Sequence, residues 1–124
     1  MAEFQNNGFG KLKPAPTFAL EPMVAPVLID GETIIGVFEG LRDGVVFTNK
    51  RIIALNMQQQ TGTKKEYTFI PYSKIQLYSM ETAGTSELEN TLVLWLSGVG
   101  KMTFAFSAET DLLELCRILS VFVL

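Results

Sequence analysis

Hydrophobic and polar side chains alternate from Thr33 to Phe106, and apolar positions then recur every three or four residues to the end of the chain. A period of two marks a strand with one buried face, and a period near 3.6 marks an amphipathic helix. Polar stretches, all but Asn49-Lys50 containing glycine or proline, divide the alternating region into seven short strands: TIIGVF (33–38), VVFT (45–48), RIIALNM (51–57), EYTFI (66–70), IQLYSMET (75–82), TLVLWLS (91–97) and KMTFAF (101–106). TLVLWLS is apolar on both faces, which predicts a central place in the sheet. Asn49 and Lys50 stand where a two-residue hairpin wants positive φ. Consecutive strands at turn-signalled spacing predict an antiparallel sandwich or barrel.

After Phe106 the period changes. Ser107 is the expected N-cap, with Glu109 and Asp111 in the first turn, where the helix dipole favours negative charge. Leu112, Leu115, Cys116, Leu119, Phe122 and Val123 share one face. Each contributes roughly 1.5–3 kcal/mol on burial against about 1 kcal/mol for a cap, so packing on the strands holds this helix in place. Leu113, Ile118 and Val121 fall off that stripe. Single apolar residues are ordinary on surfaces, but these three are also candidates for contact with another subunit.

Residues 1–26 contain four of the five prolines, Pro14, Pro16, Pro22 and Pro26. Proline lacks an amide donor and disfavours helix in the residue before it, so this segment is expected to be an extended arm preceding a domain over 27–124. The run FALEPMVAPVLI is too apolar for water. The arm is therefore expected to lie against its own domain or a neighbouring subunit, which adds Phe18 and Val24 to the interface candidates.

At 124 residues the chain is long enough for one real core, and 48% hydrophobic with 19% charged residues fits a globular domain. Ten Lys and Arg lie scattered among thirteen Asp and Glu, for a net charge of −3. That balance excludes a general nucleic-acid binder, which needs a clustered positive surface. The N-terminus has neither a basic region nor an apolar core of a signal peptide. A single cysteine cannot form an internal disulfide, so a cytoplasmic location is expected.

With no histidine in the sequence, Ser-His-Asp and Cys-His constellations and ordinary zinc sites are impossible. Cys116 lies on the apolar helix face and reads as a core residue. SGVGKM would need Gly and Ser or Thr where Trp95 and Met102 stand to serve as a phosphate loop; it is a hairpin turn. Glu87 with Glu89, and Asp30 with Glu32, read as solvated loop charge, since hard cations gather several oxygen ligands on one loop. No catalytic, cofactor-binding or metal-ligating residue is expected, no cofactor, and no enzyme activity.

Seven antiparallel strands closed by a C-terminal amphipathic helix outline the pleckstrin homology (PH) fold. The stretches LRDGVVFTNKRIIAL, IPYSKIQLYSMETAG and LWLSG resemble those of the bacterial PH-like family, once listed as a domain of unknown function. The ordered run Arg42-Asp43, Phe47-Thr48-Asn49-Lys50-Arg51, Ile70-Pro71-Tyr72 and Glu81-Thr82-Ala83-Gly84 carries the likeness, which spans about residues 27 to 120. It implies a partly open barrel of two near-orthogonal sheets plugged by a helix, with subunits that assemble into rings, but no established ligand. Members of the family often begin with a helical segment; here the proline-rich arm stands in its place.

The resemblance also raises anionic lipid as a ligand, because eukaryotic PH domains hold headgroups among basic residues near the first hairpin. The candidates are Lys50 and Arg51, with Lys64 and Lys65 at the next hairpin. The two pairs fall at opposite ends of one strand, which weakens a shared site. Arg51 is expected to reach a carboxylate of its own domain or the next subunit, with Lys50 solvated. The sequence thus reads as a non-enzymatic homo-oligomeric scaffold, with peripheral binding of anionic lipid or of a peptide along a sheet edge as the alternatives.

Overall fold

The computed structural model describes residues 8–57, 65–83 and 89–124. The seven expected strands are present, as β2 (Ile34–Glu39), β3 (Asp43–Thr48), β4 (Arg51–Met57), β5 (Lys65–Pro71), β6 (Ile75–Glu81), β7 (Glu89–Leu96) and β8 (Gly100–Ser107). An eighth, β1 (Gly8–Ala15), precedes them. The strands form one open sheet in the order β5-β4-β3-β2-β1-β8-β7-β6. Helix α2 (Leu112–Val123) packs across its inner face.

β1 corrects the expectation of seven strands. It is extended, as its prolines require, but it joins the two halves of the sheet. Gly8 to Leu12 pair with β8 in parallel, and Lys13 to Ala15 pair with β2 antiparallel. The register shifts between Phe9 and Leu12, where Lys11 takes a left-handed φ of 57°. This is a bulge that re-aims the strand. Beyond Leu12 only β2 pairs with β1, and such an edge-like stretch tolerates Pro14. Gly40 accommodates the close approach: a Cβ there would sit 2.9 Å from the Gly10 carbonyl oxygen.

Two cores follow. The inner one gathers Phe9, Leu12, Phe47, Ile52, Leu94, Phe104 and Phe106 from the strands with Leu112, Leu115 and Leu119 from α2. Phe122 and Val123 pack against it in part, as the helical stripe predicted, and Cys116 is half-buried beside them. The second lies on the outer face of β2–β5. There Val37, Val46, Ile53 and Leu55 are covered by Leu20 and Val24 from a short helix and its lead-in, α1 (Glu21–Val24). Gly44 leaves room for this cover, since a Cβ would meet the Leu20 Cδ1 at 2.7 Å.

Three local expectations need correction. Ser107 ends β8, and α2 starts four positions later on Asp111, whose carboxylate accepts from the Glu114 N–H at 3.1 Å. Glu109 therefore precedes the helix. Asn49 and Lys50 have negative φ, because side-chain hydrogen bonds shape their turn. β7 lies one strand from the edge rather than centrally, with Asn90, Leu92, Leu94 and Leu96 buried and Thr91, Val93 and Trp95 half-buried on the other face.

Candidate functional site

Two of the stretches that carried the family resemblance, Thr48 to Arg51 and Tyr72, meet Glu32 at one buried corner. Glu32, expected in solvent, has a fully buried side chain. Arg51 Nε donates to its Oε2 at 2.9 Å and Arg51 Nη2 to its Oε1 at 3.0 Å, a bidentate pair. Arg51 also donates to the Val27 carbonyl at 2.7 Å and lies 4.7 Å above the Phe69 ring. The carboxylate it was expected to reach is thus in its own domain.

The turn between β3 and β4 is built on the same carboxylate. Thr48 Oγ1 donates to Glu32 Oε2 at 2.7 Å and accepts from the N–H groups of Lys50 and Arg51, each at 3.0 Å. Asn49 donates to the Gly31 carbonyl and accepts from the Thr33 N–H, so it tethers the loop that presents Glu32. The Tyr72 hydroxyl donates to the Thr48 carbonyl at 2.6 Å, and its ring stacks on Phe122 of α2 at 5.1 Å. The corner therefore connects the loop, the hairpin, β5 and the helix.

Burial pushes the Glu32 carboxyl up, but hydrogen bonds from Arg51, Thr48 and the Ile29 N–H, with the Arg51 charge, hold it below its ordinary value. Tyr72 moves the other way: burial, with the Glu32 charge, raises its phenol well above the ordinary value. Both directions keep the corner as a carboxylate facing a guanidinium, with a neutral phenol beside them. Such a site has no group poised for proton transfer near neutral pH. Among the described residues no cluster of metal-ligating side chains occurs.

The described lipid candidates, Lys50, Arg51 and Lys65, do not gather. Lys50 is exposed and Arg51 is committed to Glu32. Lys65 pairs with Met57 at the far end of β4, and Lys64 lies outside the described residues, as does Glu87. Of the interface candidates, Leu113, Val121 and Phe18 are exposed, and Ile118 lines a cleft between α2 and β2. Val24 is a correction: it is wholly buried in the second core of its own subunit and unavailable to a partner.

A different surface stands out. On the outer face of β6–β8, Leu77 opposes Trp95 and Val93 opposes both Ser79 and Thr103. Leu77 is 58% exposed, and Val93 and Trp95 are half-buried. β6 is also a free edge with no charged residue or proline from Ile75 to Met80, so it lacks the usual protection against pairing. The sequence signal for this face was the double apolarity of TLVLWLS, which indicated burial but not what supplies it.

The same architecture occurs in solved structures. A family protein with a pleckstrin-homology domain from Shewanella loihica superposes with a TM-score of 0.82 at 31% identity, over 93% of this chain and 99% of that one. A pleckstrin homology domain from Shewanella amazonensis gives 0.70 at 32% identity, over 89% and 90%. In sequence, the uncharacterized protein YjqA of Bacillus subtilis is 39% identical over 89 residues, which are 72% of this chain and 71% of that protein. The family model for the bacterial PH domain matches residues 3–123, including the β1 segment that completes the sheet. The chain belongs to the bacterial PH domain family.

Proposed function

We propose that this protein is a non-enzymatic scaffold whose subunits associate through the outer face and free edge of β6–β8. The observation that carries the reading is the outer face of β6–β8, where Leu77 is exposed and Val93 and Trp95 are only half-buried. The corresponding face of the other half-sheet has its own cover in Leu20 and Val24. Aromatic residues contribute heavily to association, and Trp95 lies on this face between Leu77 and Lys101. The β6 edge supplies unpaired backbone groups beside it.

A second copy of this chain is the natural occupant. An edge and a face that meet a different surface of the next subunit form a head-to-tail contact, which closes into a ring when the rotation permits. Leu113, Val121 and Phe18 are apolar surface available to that second contact. Light scattering at micromolar concentration tests the reading. A mass of several subunits is expected, and a clean monomer contradicts it.

A further inference from the structure

β5 and β6 are the two edges of the open sheet, and the short turn Tyr72–Lys74 joins them without pairing them. At this seam the barrel gapes into a cleft of about 280 Å³. Core side chains Ile70, Leu96 and Met102 line it together with Phe69 and Val99. Its polar contributors are Thr68, Ser97 and Lys74, and no carboxylate belongs to the lining. Lys74 is exposed and has no ion-pair partner among the described residues.

We propose that this seam binds a small amphiphilic carboxylate, an apolar tail of medium-chain length with one anionic end. The apolar lining matches the tail, and the unpaired ammonium of Lys74, with the hydroxyl-bearing residues Thr68 and Ser97 in the same lining, matches one carboxylate. Size limits the ligand: at roughly 30 Å³ per non-hydrogen atom, the share of a water molecule in the liquid, the cleft holds on the order of ten such atoms. Octanoate is of that size.

This inference does not depend on subunit association. The test is calorimetric titration of the full chain with octanoate and with 1-octanol, followed by a crystal structure of the octanoate complex. Octanoate should bind in the seam and more tightly than octanol. Lys74→Gln should weaken octanoate by at least about fivefold, the loss of a charge-assisted contact, while leaving octanol within about twofold. Val99→Trp, in an exposed turn and therefore compatible with folding, should close the mouth and abolish both. Absence of octanoate binding, equal affinity for octanol, indifference to Lys74→Gln, or octanoate located elsewhere in the crystal would each overturn the proposal.

Discussion

The two halves of the sheet share an inner core but differ outside. On β2–β5, Val37, Val46, Ile53 and Leu55 are covered by a proline-bounded segment of the same chain. On β6–β8, no such cover occurs among the described residues: Leu77 is exposed, and Val93 and Trp95 are half-buried. Both halves carry apolar outer positions, and the chain itself covers those of β2–β5; under the proposed association a second copy covers the other. The corner around Glu32 belongs to the covered half. Arg51 ties it to the Val27 carbonyl and Glu32 accepts from the Ile29 N–H, so the cover is clamped where it ends.

Breaking the clamp should have the largest effect on stability. Arg51→Met leaves the buried Glu32 carboxylate without its partner and should cost about 3–5 kcal/mol in urea unfolding. Adding Glu32→Gln to that variant should restore much of the loss, because the stranded charge is gone. Leu20→Ala thins the cover itself. It should cost about 2–4 kcal/mol, in the range for a buried leucine.

Acid distinguishes the halves more gently. The folded Glu32 carboxyl titrates below its ordinary value of 4.5, so the folded state takes up its proton less readily than the unfolded chain. Its contribution is complete above pH 4.5 and is lost as pH falls through the lower folded value. Unfolding measured down the pH scale should show wild type losing this contribution there, and the Arg51→Met, Glu32→Gln double variant lacking that part of the dependence. On the uncovered half, Leu77→Ser should change the stability of the separated subunit by less than about 0.5 kcal/mol, yet reduce the mass seen by light scattering.

β3 and β4 are buried on both faces and were legible as short β-branched and aromatic runs between polar turns. β7 and β8 were legible because each buries one face more deeply than the other, which leaves a period of two. The helix stripe was legible for the same reason at its own period. β1 was not, because Pro14 and Pro16 signal non-strand and only the tertiary context creates an edge-like stretch for them. Glu32 was misread for a related reason. Nothing in Asp30-Gly31-Glu32 announces burial; the carboxylate is drawn in by Arg51 and Thr48, which are remote in sequence. The Lys50-Arg51 pair was read as a solvated lysine beside an arginine that reaches a carboxylate, and the structure has Lys50 exposed and Arg51 on Glu32.

Trp95 is the only tryptophan in the chain, and it lies on the uncovered face, so its fluorescence reads the central claim directly. A blue-shifted emission is expected at micromolar concentration, moving to the red on dilution and, at fixed concentration, on Leu77→Asp substitution. An emission that stays at one wavelength through both changes would contradict a second copy covering that face.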